Sequence, residues 1–245
     1  MPTRSVTGRR WSGCGHRPAD ALKEFGAVWF HDDDLEDARW DVALEWTVPE
    51  VFESGPYAFH LEAGSSIDDV PFFVRPPRGR ATAELAFLAP TFSYLAYGNE
   101  HGCLSDDSDF AKLFTGADDL WTRASAVDHF LADRRLLSIY DPHSDGSGNC
   151  YSSWLRPILT MRPNHRMTLI NAPHQFSADL YLIDWLEEKS ISYDVITDHD
   201  LHEEQHELLL RYKVVLTGSH PEYWSAAMLN ALDHYLNRGG RLVYL

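Results

Sequence analysis

Residues 212–245, YKVVLTGSHPEYWSAAMLNALDHYLNRGGRLVYL, read as strand, loop, helix, strand, and that order decides the fold class. Val214, Val215 and Leu216 form a short unbroken apolar run, the pattern of a strand buried on both faces of a parallel sheet. Residues 217–221 interrupt it with turn-forming side chains. Ser225 is placed to cap the helix that follows, whose apolar stripe is Met228, Leu229, Leu232 and Leu236. Gly239 and Gly240 end that helix, because glycine accepts the left-handed backbone a helix C-terminus often needs. Residues 241–245 then open a second buried strand. Ligands of open α/β sheets bind beyond the carboxyl ends of the strands. That rule makes His220, Glu222, Tyr223 and Trp224 candidate site residues. The sequence stops within a strand, as a fragment of a longer chain would.

Working upstream, residues 193–196 read as a strand, 177–189 as a helix and 201–210 as a short acidic helix. Residues 85–88 form another buried run, followed by Thr91, Tyr94, Tyr97 and Asn99 at its end. Residues 124–131 suggest a helix and 168–170 a strand, in an otherwise irregular stretch from 100 to 165. Strands alternating with helices give an α/β domain with a parallel sheet over residues 81–245, incomplete at its C-terminus. Before it the period changes to two. Trp40, Val42, Leu44 and Trp46 alternate with polar or small residues, as do Tyr57, Phe59 and Leu61, and 70–74 is a third run. These read as terminal strands of a β-sandwich over residues 1–80, with the Pro-rich, charged stretch 75–80 as linker. Residues 1–38 are weakly patterned, and the acidic cluster at Asp32, Asp33 and Asp34 reads as a solvated turn.

A net charge of −16 over 245 residues argues against nucleic acid and against an anionic membrane as partners. Three cysteines, Cys14, Cys103 and Cys150, have no paired spacing, so a reduced, cytoplasmic compartment is expected. No window approaches 18 apolar residues.

Three motifs compete as chemistry. His202-Glu203-Glu204-Gln205-His206 fits H-E-x-x-H, in which two imidazoles share a helix face for zinc. The segment is short and acidic with apolar residues only after the second histidine, so a solvated helix is the better reading. Residues 141–146 resemble the start of a calcium loop, but Ser152 stands where the bidentate glutamate belongs. Cys150 is a candidate nucleophile without a preceding buried strand, which favours a buried, inert thiol. There is no G-x-S-x-G, P-loop or G-x-G-x-x-G. The Tyr/His/Glu group after residues 213–217 remains, with Tyr181 on the preceding helix. Phenolate suits a hard ion such as ferric iron; from spacing alone, Tyr181 reads as a core aromatic and Tyr223 as a loop anchor.

SHPEYWS (219–225), SADLYLIDWLEEK (177–189), YDVITDHDLH (193–202), YDPHSDGSGNCYSSWLRPIL (140–159) and the ending RGGRLVYL together resemble the large (beta) subunit of the N,N-dimethylformamidase family. The resemblance implies a hydrolase of small N-substituted formamides, with an α/β domain similar to class I glutamine amidotransferases (flavodoxin-like) and a mononuclear, ferric iron held by two tyrosines and one glutamate. It also implies a small partner subunit and a homo-oligomer of the large subunit. On this resemblance Tyr223 matches one tyrosine ligand and Tyr181 is the candidate for the other. The glutamate is expected beyond Leu245, so the fragment is expected to be inactive alone. His220 and Glu222 are expected to orient groups or shuttle protons. A non-catalytic amidotransferase-like binding domain and a cysteine hydrolase using Cys150 stay open as alternatives.

Overall fold

In the computed structural model, the described residues are 2–13, 17–31, 35–101, 124–144 and 149–245. Cys14, Cys103 and the turn at Asp32, Asp33 and Asp34 lie outside them, as does part of the calcium-like loop.

The N-terminal part is built from strand pairs. β1 (Pro2–Thr7) runs antiparallel to β2 (Phe25–Phe30), with the short helix α1 (Pro18–Ala21) between them. β3 (Leu35–Asp37) follows. β4 (Gly55–Ala63) and β5 (Ser66–Val74) form a hairpin in continuous register from Gly55↔Val74 to Ala63↔Ser66. Gly64, at φ +64, supplies the left-handed residue its tight turn requires. Trp46 packs edge-on against Phe52, Phe59 and Phe72.

The remaining elements, in chain order, are β6 (Leu85–Ala89), α2 (Thr91–Ala96), α3 (Ala126–Arg134), β7 (Ser152–Leu155), α4 (Phe176–Glu188), β8 (Tyr193–Thr197), α5 (Asp198–Glu204), α6 (His206–Leu209), β9 (Val214–Thr217), α7 (Ala226–Asn237) and β10 (Arg241–Val243). β7 pairs in parallel with β3. The other four strands form a parallel sheet in the order β10-β9-β6-β8. The chain therefore leaves β6 to one side, returns across it, and continues on the other. The order reverses between β6 and β9.

Side chains of β6 alternate between two cores, as a strand covered on both faces must. Ala86 and Leu88 join Leu201, Leu208, Leu209, Met228 and Tyr235 from α5, α6 and α7. Phe87 and Ala89 join Phe176, Ile183 and Leu186 from α4, with Ile158 and Met161 from the preceding loop. Each fully buried leucine here contributes about 1.5–3 kcal/mol. Two capping boxes fix helix starts: Ser125 with Asp128 at α3, and Thr197 with Asp200 at α5. Ser225 caps α7 by accepting the Met228 N–H.

Several expectations need correction. Residues 38–49 form no strand; Trp40, Val42 and Leu44 are exposed, so alternation there does not mark a ladder. The buried stripe of α7 is Met228, Ala231, Leu232 and Tyr235, while Leu229 and Leu236 face outward. β10 is an exposed three-residue strand at the sheet edge rather than a buried one. Residues 168–170 lie in a turn bridged by Met167 and Ala172. In the irregular stretch 75–80, the Arg75 guanidinium meets the carboxylates of Asp200 and Glu204; this leaves the linker expectation where it was. Among the described residues, no helix is long and apolar enough to cross a membrane.

Candidate active site

Side chains from the two strands flanking the reversal converge. After β6, α2 ends at Tyr97, and the turn behind it is clamped from three directions. Asn99, fully buried and at φ +64, donates through its amide to the Pro157 carbonyl at 2.8 Å and accepts the Leu159 N–H at 2.8 Å. The Arg156 guanidinium donates to the carbonyls of Gly98 and Leu137 at 3.0 and 2.9 Å. Burial holds that guanidinium below its ordinary value, at about 10.

After β9, the loop carrying His220, Glu222 and Tyr223 is hung on two anchors. Asp179 of α4 accepts the Ser219 N–H at 2.6 Å, and Ser93 Oγ accepts the N–H groups of Glu222 and Tyr223 at 2.8 and 3.2 Å. Tyr94 donates its hydroxyl to the other Asp179 oxygen, so this buried carboxylate ties α2, α4 and the loop together. Burial raises both Asp179 and Tyr94 above their usual values, the latter with help from the Asp179 charge.

The result is one oxygen-rich cluster. The Tyr97 hydroxyl donates to Glu222 Oε2 at 2.7 Å and lies 3.3 Å from His220 Nε2, itself 3.1 Å from the same carboxylate oxygen. The Tyr97 and Tyr140 rings are 5.1 Å apart, and the Tyr140 and Tyr223 hydroxyls hydrogen-bond to each other. His174 sits 5.1 Å from the Tyr97 ring and 5.3 Å from His220. Burial, reinforced by the Glu222 hydrogen bond, pushes the Tyr97 phenol up to about 12. Tyr140 is raised further, by burial and then by its bond to Tyr223. His174 is pushed down to about 4 by burial, with His220 and His165 adding to it. Raised in this way, Tyr97 and Tyr140 stay neutral phenols beside the Glu222 side chain, with protons that a bound cation could displace. Beside it, Phe92, Leu95, Ala96, Ile139, Tyr223 and Trp224 line an open, largely apolar depression of about 350 Å³.

The structure brings His220, Glu222 and Tyr223 together as the strand-end rule expected, and it does not bring Tyr181 to them. Tyr181 is 65% exposed on α4 and faces a separate depression with Pro163, Arg166 and Asp184. Its place beside Tyr223 is taken by Tyr140. Tyr97 stands at a strand end that the sequence marks; Tyr140 lies in an irregular stretch with no periodic signal, so spacing could not find it.

The competing motifs fall elsewhere. H-E-x-x-H is not one helix: α5 stops at Glu204, Gln205 adopts φ +53, and α6 starts at His206. His202 bonds to Ser225 at 2.8 Å, whereas the His206 ring packs 4.2 Å from His234. Cys150 Sγ lies 3.8 Å from His143 Nδ1, and both side chains are buried. Among the described residues, no three His, Cys, Asp or Glu side chains gather as a metal site. A cation here would have to be held largely by phenols.

The family described as N,N-dimethylformamidase beta subunit-like, C-terminal, matches residues 3–245. The chain is 45% identical over its 245 residues to an N,N-dimethylformamidase beta subunit of Paracoccus aminophilus and 43% identical to one of Alcaligenes sp.. In each case all of this chain aligns with 32% of the relative, so it spans about a third of their length. The chain belongs to the N,N-dimethylformamidase beta subunit-like family.

Proposed function

We propose that this chain carries the iron centre of a hydrolase that cleaves the C–N bond of small N-substituted formamides such as dimethylformamide. The observation that carries the reading is the meeting of Tyr97, Tyr140 and Glu222 where the strand order reverses between β6 and β9, the usual ligand position of an open α/β sheet. We read the parallel sheet as flavodoxin-like and amidotransferase-like, with the order β10-β9-β6-β8 as support. The names of the relatives support the substrate class, and the words "beta subunit" in them support a second type of subunit as partner.

The residues present fit a hard trivalent cation. Two phenols and a carboxylate offer three anionic oxygens once deprotonated, and the proton of the Tyr97–Glu222 hydrogen bond is the one a cation would displace. We therefore assign iron to Tyr97, Tyr140 and Glu222, with Tyr223 supporting Tyr140 through its hydroxyl. Tyr181 is left out because it is exposed and lines a different depression. When bound, the iron supplies Lewis acidity, polarising an amide carbonyl or acidifying a water.

The other steps belong to protein groups. His220 shares Glu222 Oε2 with Tyr97, so it orients the carboxylate and stands within reach of a proton. It takes the proton from water as the new C–O bond forms, and returns it to the amine nitrogen as the C–N bond breaks. Formic acid and an amine leave, the acid passing its proton to the amine in water to give formate and an ammonium ion, and the histidine ends as it began. The depression lined by Phe92, Leu95, Ile139 and Trp224 receives the N-alkyl groups and favours uncharged amides.

Glu222→Gln in the intact protein tests the reading. It keeps the side chain's shape and removes its charge, so bound iron and dimethylformamide hydrolysis should fall together. Full iron with full activity in that variant would contradict it. Thiol alkylation should leave activity intact; loss of activity on modifying Cys150 alone would revive the cysteine alternative.

A further inference from the structure

Gln175 is a residue that the proposed chemistry does not use, and its placement is costly. It precedes α4 with φ +55 and ψ −127, a conformation sparsely populated by any residue other than glycine, and its own side chain does not cap the helix. The residue is 7% exposed with both amide atoms buried, and neither the amide nitrogen nor the amide oxygen finds a hydrogen-bond partner among the described residues. A buried polar atom left unsatisfied has given up its hydrogen bonds to water without replacement. Folds rarely keep two such atoms on one side chain without a further partner.

The surroundings say what that partner is. Gln175 lines a small cavity together with Tyr97, His174, His165, Thr160 and Glu100. Its volume is about 20 Å³. A buried water needs at least roughly 10–15 Å³ and two to four polar partners. The space therefore suits one water and excludes an amide substrate. The Gln175 amide offers both a donor and an acceptor, and His165, His174, Thr160 and the Tyr97 phenol share the lining with Met161, Met167 and Phe176. Two of the walls, Tyr97 and His174, also belong to the oxygen-rich cluster, their rings being 5.1 Å apart. The cavity lies behind the proposed iron centre and shares its tyrosine.

We propose that Gln175 holds a single buried water against the Tyr97–His174 wall and, through it, fixes the position of the Tyr97 ring. This makes Gln175 a positioning residue. The part concerning Tyr97 rests on the reading of Tyr97 as a metal-holding phenol; the water itself does not. Partners that orient a metal-holding side chain typically matter about 10–100-fold in metal affinity or activity.

The test is a crystal structure of the intact native protein at a resolution that shows ordered water, paired with Gln175→Met. Methionine keeps the volume and removes both amide atoms. The native structure should show a water within hydrogen-bond distance of the Gln175 amide and of at least one other wall group. The variant should lose that water, shift the tyrosine-to-iron charge-transfer absorption, and lower kcat or iron affinity about 10–100-fold with KM nearly unchanged. A dry native cavity would overturn the proposal without any variant. Loss of the water with an unmoved absorption band and unchanged kcat would overturn the positioning role. A native protein that holds the water but no iron refutes the metal reading and leaves the water site standing.

Discussion

Gly218→Ala puts the link between strand end and site under direct strain. Gly218 follows β9 and begins the loop that carries His220 and Glu222. A methyl group there would come 2.2 Å from Asp179 Oδ2 and 2.6 and 2.8 Å from Cδ and Cγ of Pro90. All three are well inside ordinary van der Waals contact, and neither neighbour yields easily. Pro90 is a ring fused to the backbone, and Asp179 is 2% exposed and held by Tyr94 and the Ser219 N–H. Forcing extra atoms into a filled site costs about 1–3 kcal/mol. The consequence for function is larger, because Asp179 is the anchor of the loop. A displacement of about 1 Å at Asp179 carries Ser219, and with it Glu222, away from Tyr97, and a misplacement of that size can cost about 10²-fold in rate. Urea unfolding followed by tryptophan fluorescence should give a lower midpoint at unchanged slope, and kcat/KM on dimethylformamide should fall about a hundredfold while the circular dichroism stays native. A variant with native midpoint and native activity would refute the packing argument, since it would mean that strand end and carboxylate move freely.

Further expectations follow from other residues. Ser93→Ala strips the acceptor from the Glu222 and Tyr223 N–H groups and should destabilise by about 1–3 kcal/mol with a matching loss of activity; unchanged activity would show that the loop holds without it. Asp198 is pushed up to about 8 by burial, with the Asp179 charge adding to it. The folded state therefore keeps a proton that the unfolded state releases, and stability is lost as pH rises from about 4 to about 8. Asp198→Asn should gain on the native protein by roughly 1.4 kcal/mol per pH unit in that window, and a difference in unfolding free energy that does not grow with pH would contradict it. His206→Ala, on the partly exposed α6, should leave activity within a small factor; a parallel loss of zinc and activity would reinstate H-E-x-x-H.

The parallel sheet was legible because its strands are continuous apolar runs punctuated by Gly, Pro and capping residues. Val214 to Leu216, Ser225 and Gly239 all behave as their chemistry dictates. Trp40, Val42 and Leu44 misled because alternation reports a two-sided surface, and an extended segment without a ladder partner shows the same period. α7 rotated its stripe because Ala231 and Tyr235 can face the sheet as well as leucine, and the large Tyr235 ring fits against Gly240, where a Cβ would meet it at 2.3 Å. The strand-end rule pointed to His220, Glu222, Tyr223 and Trp224, and the loop after β9 holds His220 and Glu222 against Tyr97 at the end of β6. Tyr140 is delivered by an irregular stretch clamped through Arg156 and Asn149, and such tertiary clamps leave no local pattern. Tyr181 drew attention as a tyrosine on a helix beside the site, but one position on a helix decides whether a side chain faces the sheet or water.

The most direct measurement is iron per chain in the purified intact protein, with the tyrosine-to-iron absorption band, for Tyr97→Phe, Tyr140→Phe and Tyr181→Phe side by side. Phenylalanine preserves each ring's packing and removes only the oxygen. The native protein and Tyr181→Phe should hold iron in full and share one spectrum, while Tyr97→Phe and Tyr140→Phe should lose both metal and band. Full iron in either of those two, or its loss on changing the exposed Tyr181, would contradict the assignment of the metal to the junction of β6 and β9.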